Sequence, residues 1–176
     1  MTVDAIPETP LSGVLKGQKL DGHAMFVWSD YKDPKPGQMR TVPYSAGRLK
    51  AYFISGPADG KCLRAPPAGT PYLELNIQTA NLIDGVLPQV KPLGQKPSGD
   101  AFDEPHARVS DGSGSTVVPP EAMGFAVNLI KHAAPKDEHH PGTISVKLLA
   151  TMEAPNQPPS WMSGTYDGPV CWSPAE

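Results

Sequence analysis

The sequence predicts an all-β fold, a single antiparallel β-sandwich or barrel of about eight short strands. The 176 residues include 22 prolines and 17 glycines, about twice the ~12 % that these two residue types make together in average proteins. Proline inside a helix costs about 3 kcal/mol, so long helices are not expected. The stretches between turn residues alternate apolar and polar side chains with the period of two that is typical of strands. One domain is expected over residues 13–176, preceded by an extended proline-rich arm over residues 1–12.

The first two predicted strands lie in the N-terminal third of the chain. Residues 23–31 (HAMFVWSDY) are apolar on both faces, so this strand is expected to be covered twice, by a second layer of its own domain or by a partner. Residues 48–55 (RLKAYFIS) are followed by Asp59-Gly60, a pair that suits a tight turn. We therefore predict a hairpin over residues 48–65.

The clearest strand pattern is YLELNIQTA, residues 72–80. Apolar residues occupy alternate positions from Leu73 onward, and Glu74, Asn76 and Gln78 occupy the positions between them. This alternation predicts a half-buried strand whose polar side chains face solvent.

Two further segments are predicted to pair with each other. Residues 143–152 (TISVKLLATM) have the strand alternation, whereas residues 121–134 (EAMGFAVNLIKHAA) are ambiguous. The preceding Pro119-Pro120 suits a helix start, but Gly124 weakens a helix and every neighbouring segment is β. We favour a strand that pairs with 143–152 across the KDEHHPG loop.

Residues 87–106, which contain LPQVKPLGQKPSGD, are predicted to be a long loop or an extended arm. A loop of this length inside a compact domain is uncommon and usually has a function or lies on another surface.

Composition limits the partners and the compartment. The formal net charge is −3, with acidic and basic residues mixed along the chain, so neither nucleic acid nor an anionic membrane is expected to bind. The first residues, MTVDAIPETPLSG, lack the apolar core of a signal peptide, and no stretch approaches the ~20 apolar residues of a membrane span. A soluble protein is expected.

The two cysteines, Cys62 and Cys171, have neither metal-ligand spacing nor the density of a disulfide scaffold. Free, partly buried thiols are the expectation, and a bridge between the two is the minor alternative.

The loop KDEHHPG, residues 136–142, contains the best metal-binding pattern of the chain. His132 lies seven residues before His139 and would face it across a hairpin, with Glu138 as a third ligand. Adjacent histidines point to opposite sides of an extended chain, so His140 does not easily join the same ion. A solvated hairpin tip is the favoured interpretation, and no metal or cofactor is expected.

The other site candidates are an acid/base group and the aromatic residues. Asp103, Glu104 and His106 have the side chains of acid/base catalysis, but a solvated loop is favoured. Aromatic residues anchor protein interfaces and stack on sugar rings. The interface candidates are Phe26, Trp28, Trp161, Tyr166 and Trp172.

Three functions are compatible with this pattern. The favoured one is a non-catalytic assembly subunit that binds copies of itself or a larger shell. Its concrete form is a bacteriophage capsid-decoration or tail protein, present in the host cytoplasm and then in the virion. The alternatives are a carbohydrate-binding β-sandwich that uses Trp161, Tyr166 and Trp172, and a metal-dependent cupin-like enzyme that uses His132 and His139. No motif identifies any of them.

Overall fold

The computed structural model describes residues 3–30, 47–78, 89–95 and 105–174. These residues form strands with short turns and two single-turn 3-10 helices, Val3–Ala5 and Pro120–Ala122. The strands are β1 (Ser12–Leu15), β2 (Gln18–Leu20), β3 (Gly22–Asp30), β4 (Gly47–Ser55), β5 (Pro71–Gln78), β6 (Gln89–Lys91), β7 (His106–Asp111), β8 (Ser115–Val118), β9 (Met123–Ala133), β10 (Gly142–Met152) and β11 (Ser160–Ser173). Among the residues described, no helix has the length and apolar character needed to cross a membrane.

All the strands of the described residues belong to one curled sheet. Its order is β6-β9-β10-β11-β3-β4-β5-β7-β8, and β1 pairs with the beginning of the β11 edge that later pairs with β3, while β2 pairs with β1. The all-β class is confirmed. Two stacked sheets are not, because the single sheet curls as a half-barrel around one core.

The strand pairing differs from the prediction in one place that matters for the site. Residues 170–173 of β11 pair in parallel with residues 26–29 of β3, whereas every other strand pair of the described residues is antiparallel. A purely antiparallel sheet is therefore wrong. Parallel pairing requires a long connection, and here nearly the whole chain separates the two partners.

The hairpin between β9 and β10 confirms two sequence predictions. Residues 123–133 form a strand after the single turn at Pro120–Ala122, and β10 pairs with β9 along its length. In β10, buried residues alternate with more exposed ones from Gly142 to Met152. The inward side chains of both strands belong to the main core, which is why the ambiguous segment is a strand.

Strand β3 is covered on both faces, as its sequence predicts. Phe26 and Trp28 point into the main core, and Met25 and Val27 belong to a second apolar cluster on the outer face of the sheet. This second cluster is covered by the segment 56–70 through Leu63. The cover is thus supplied by the same chain.

The predicted hairpin over 48–65 is wrong. Strand β4 pairs with β3 on one side and β5 on the other, and residues 56–70 form no strand. The expected local turn is present, because Gly60 has a φ of 71° and the Lys61 amide donates to Asp59 Oδ1 at 3.0 Å. After this turn the chain crosses the outer face of the sheet instead of returning along β4.

The expectation of free thiols is also wrong, because Cys62 and Cys171 form a disulfide. Cys171 lies beside Val27 where β11 pairs with β3, and Cys62 reaches it from the segment 56–70. We call residues 56–70 the disulfide loop. The sequence does not reveal this bond because the two cysteines are 109 residues apart and meet only through the parallel pairing.

Strand β5 is confirmed, but its polar residues do not face solvent. Glu74 and Asn76 are buried, because the disulfide loop passes over this face and places Arg64, Ala65 and Pro66 near them. The alternation in the sequence therefore separates two buried faces, one apolar and one polar.

An extended arm over residues 1–12 is not confirmed. Ile6 and Leu11 are buried, and the Leu11 and Thr165 amides donate to Thr165 O and Thr9 O, each at 2.8 Å. The N-terminal segment from residue 3 therefore packs on its own sheet. Tyr31, Thr79 and Ala80 of the predicted strands, and residues 87–88 and 96–104 of the predicted loop, lie outside the described residues.

Candidate functional site

Strands β3 and β11 diverge and leave a gap in the sheet. They pair only from residues 26 and 170 onward, and the beginning of the same β11 edge pairs with β1 as far as Ser163, followed by a bridge between Pro10 and Thr165. In the part of the chain that the structure describes, no strand pairs with this edge between Thr165 and Val170. We call this gap the β3/β11 slot.

The slot is a groove of about 820 Å³ with mostly apolar walls. Leu11, Ala24 and Met25 line it, and Leu63 and the disulfide form the cover. Three prolines contribute to the lining: Pro10, Pro141 and Pro169. A groove of this size and character is typical of binding sites, in which apolar walls supply contact area and a few polar groups fix orientation.

Tyr166 forms a rigid wall of the slot. Its ring lies 4.6 Å from the Phe26 ring, measured between centroids, and its hydroxyl donates to Pro169 O at 2.9 Å. Burial, and secondarily the charge of Asp167, raise the pKa of the Tyr166 hydroxyl. The hydroxyl therefore stays protonated, and its hydrogen bond to Pro169 O and the contact with Phe26 hold the ring in place.

The polar groups of the slot lie at its rim. His23 Nδ1 is 2.8 Å from Gly56 O, and since a carbonyl only accepts, Nδ1 carries the proton and Nε2 of the neutral ring is an acceptor. Lys61 Nζ lies 3.6 Å from Asp59 Oδ2. Asp167 also lines the slot, so two carboxylates face one ammonium group around an apolar interior.

The disulfide loop is tied to the KDEHHPG tip through one arginine. Arg64 donates to Glu138 Oε2 at 2.6 Å, and its guanidinium lies 5.9 Å from the centre of the Trp172 ring. Because both partners of this ion pair are half exposed, it contributes little energy. The ion pair positions the disulfide loop relative to the KDEHHPG tip.

The KDEHHPG tip is a turn organised by a carboxylate. Asp137 Oδ1 accepts the His139 and His140 amides at 2.8 and 3.0 Å and lies 2.8 Å from His140 Nδ1. Bonding to His140 and to the His139 amide lowers the pKa of Asp137. The tip is exposed, so the favoured interpretation as a solvated turn agrees with its structure.

The predicted metal ligands do not converge. His132 stacks on the Trp28 ring with centroids 5.4 Å apart, while His139 lies beside Glu138 with Nε2 and Oε1 3.5 Å apart. Among the described residues, no three histidine, cysteine, aspartate or glutamate side chains come together as a metal group.

Replacing Asp137 by Asn is expected to loosen the tip without unfolding the sheet. The neutral Asn Oδ1 accepts the His139 and His140 amides more weakly than the carboxylate does, so their hydrogen exchange should accelerate, as measured by NMR. Glu138→Gln is the matched control, because Glu138 accepts neither amide among the described residues. Exchange rates that do not differ between the two variants would contradict this role of Asp137.

The same contact predicts a pH dependence. Since the pKa of Asp137 is lowered from 3.8 in the folded chain, its stabilising effect is fully present above pH 3.8 and is lost as the pH falls through the lowered value. Acidification of the wild-type chain should therefore accelerate exchange at His139 and His140 relative to the amides of β10, after correction for intrinsic rates.

The aromatic candidates separate into buried and accessible residues. Phe26 and Trp28 lie in the core, so the folded chain does not offer them to a partner. Trp161, Tyr166 and Trp172 are partly exposed, but Trp161 and Trp172 are eleven residues apart on one strand, roughly 36 Å. The three rings therefore share no single platform for a sugar.

Two features were missed by sequence reasoning. One is the slot, which depends on where β11 changes partner and leaves no local signal. The other is the polar face of β4, β5 and β7, where His106 at the start of β7 lies close to Asn76. Asp103 and Glu104, its predicted acid/base partners, lie outside the described residues.

One edge of the sheet exposes apolar side chains. Among the described residues, strand β6 pairs only with β9, and Val90 and Leu93 are 40 % and 43 % exposed on either side of Pro92. We call residues 90–93 the β6 edge. At the opposite end of the sheet, Val117 of β8 is 56 % exposed.

Comparisons with protein-family models, with curated proteins and with solved structures find no match to this chain. The functional proposal therefore depends on the geometry alone.

Proposed function

We propose that this chain is a non-catalytic assembly subunit in which the β3/β11 slot of one copy receives the β6 edge of another. The observation that carries the proposal is the gap between Thr165 and Val170, where the edge of β11 has no strand partner among the described residues. An open strand edge is a template for an incoming extended segment, through backbone hydrogen bonds and alternate side-chain pockets.

The β6 edge fits this slot in length and in chemistry. Four residues, 166–169, lie between Thr165 and Val170, which are about 17 Å apart along an extended strand. The edge segment Val-Lys-Pro-Leu presents two exposed apolar side chains around a proline. Tyrosine and proline walls are suited to extended, proline-containing segments, because these are already rigid before binding.

Contact between a slot and a different surface of the next copy is heterologous. Such contacts produce closed rings or open filaments, according to the rotation between neighbours. Both are forms that a shell or tail component takes, so the virion protein remains one concrete version of the proposal.

The disulfide favours an oxidising location. Disulfides persist in secreted proteins, in the periplasm and on virion or cell surfaces, and are rare in the cytosol. The final location of a subunit with a Cys62–Cys171 bond is therefore proposed to be outside the reducing cytoplasm.

A complementation experiment with two variants tests the proposal. Leu93→Asp places a charge on the β6 edge and leaves the slot intact, while Leu63→Glu places a charge in the slot and leaves the edge intact. In sedimentation velocity, the wild-type chain should associate and each variant alone should be monomeric. A mixture of the two should form a heterodimer, because one intact slot and one intact edge remain.

Val117→Asp is the matched control for the edge variant, since it adds the same charge to an exposed apolar residue at the other end of the sheet. It should associate as the wild-type chain does. Circular dichroism checks that Leu63→Glu is folded. If the Leu63→Glu variant does not fold, Leu93→Asp still tests the proposal. A monomeric wild-type chain, or unchanged association of Leu93→Asp, would overturn the assembly function.

A further inference from the structure

The outer face of strands β4, β5 and β7 carries an ordered array of polar side chains. The strand register places them in two rows across the sheet. The rows are Lys50-Asn76-His106 and Tyr52-Glu74-Arg108. An outward face of this composition normally contacts water, so its burial is the informative feature.

Three members of the array are almost completely buried. Lys50, Glu74 and Asn76 are 8 %, 5 % and 3 % exposed. Burying ionised groups carries a desolvation cost, and a chain that only needed to cover its sheet would be more stable with apolar residues at these positions. Such a cost is commonly retained where a polar ligand binds.

These side chains line a pocket of about 210 Å³ beneath the disulfide loop. This volume holds roughly seven water molecules, which suits a small polar molecule and excludes a polymer. Arg64 and Arg108 are exposed and line the same pocket. A ligand that enters the pocket therefore passes these two guanidinium groups before it reaches the buried polar side chains.

The described lining is rich in hydrogen-bond donors. Lys50, Arg64 and Arg108 only donate, the Glu74 carboxylate only accepts, and Tyr52 and Tyr72 also line the pocket. Asn76 Nδ2 lies 3.2 Å from His106 Nε2, and because the amide nitrogen donates, Nε2 is the acceptor in this contact.

Arg108 provides the most specific indication of the ligand. Arg64 is already paired with Glu138, whereas none of the ion pairs among the described residues involves Arg108. The Glu74 carboxylate lines the same pocket and lies opposite Arg108 in the strand register, but the described ion pairs do not join the two. The Arg108 guanidinium is therefore suited to two parallel hydrogen bonds from an oxyanion.

We propose that this pocket binds a small oxyanion, a carboxylate or a phosphate, through Arg108 at the rim and the Lys50 and Asn76 side chains at the floor. The described lining of the site contains no residue of the β6 edge and shares none with the slot. The site is independent of the assembly function.

NMR titration of the purified full-length chain tests the site. Acetate and inorganic phosphate are added separately at constant ionic strength, and the backbone amides of β4, β5 and β7 are followed. We expect saturable shifts that are concentrated at residues 50, 74, 76, 106 and 108 with at least one of the two anions, and the pair of titrations shows which chemistry is preferred.

Arg108→Gln should weaken the affinity about tenfold or more, because a charge-assisted hydrogen-bonding pair is lost. Lys19→Gln is the control, since it removes one exposed positive charge from a side chain that does not line the pocket and should leave the affinity unchanged. The absence of shifts in both titrations would overturn the proposal. So would unsaturable shifts spread over the surface, or affinity that Arg108→Gln does not change.

Discussion

Replacing Cys62 and Cys171 together by serine is expected to lower the free energy of unfolding by about 4–5 kcal/mol, the value for a cross-link that closes a loop of about 100 residues. The two cysteines are 109 residues apart, so the bond removes much freedom from the unfolded chain. It also holds the disulfide loop over Met25 and Val27. The variant should therefore expose an apolar surface as well as unfold earlier.

Urea unfolding followed by tryptophan fluorescence measures this change. The wild-type chain in a reducing agent should match the double variant in oxidising buffer, and the reducing agent should have no effect on the variant. A loss below about 1 kcal/mol, within the range of an ordinary surface substitution, would mean that Leu63 and Arg64 hold the loop without the bond.

Gly142→Ala is expected to destabilise the chain by about 2–3 kcal/mol, because overpacking forces the backbone to move. A Cβ atom at this position would lie 2.0 Å from Ala133 O and 2.6 Å from Pro135 N. Both contacts are backbone atoms of the β9–β10 hairpin, so neither can move away by a change of side-chain rotamer. The hairpin must shift where it supports the KDEHHPG tip.

Gly114→Ala is the matched control for this substitution. A Cβ atom at Gly114 would meet nothing within 4 Å, so its stability should change by less than about 0.5 kcal/mol. Equal thermal stability of the two variants would contradict the close approach of the chain at Gly142.

Local patterns were enough to predict the strands that line the core. Strand β10 alternates buried and exposed positions over its whole length, and the period of two is a direct result of strand geometry. The strand at Met123–Ala133 followed from its neighbours, because Gly124 and the adjacent β segments both opposed a helix. These predictions needed no information from distant residues.

The site could not be predicted because it depends on long-range pairing. The slot exists only because β11 leaves β1 after Ser163 and joins β3 at Val170. The same pairing brings Cys171 to Cys62 and so places the disulfide loop over Glu74 and Asn76. The alternating polar residues of β5 predict a face that contacts solvent. The disulfide loop buries this face, and the β5 sequence contains no sign of that loop.

Photo-cross-linking from position 93 tests the assembly account most directly. Leu93 is replaced by a photoreactive phenylalanine analogue, and the variant is mixed with isotopically labelled wild-type chain before irradiation, so that links between copies are distinguished by mass. The account predicts links between copies from position 93 to residues 165–171 or 58–63. Links confined to the same chain, or between copies at surfaces outside the slot, would contradict it.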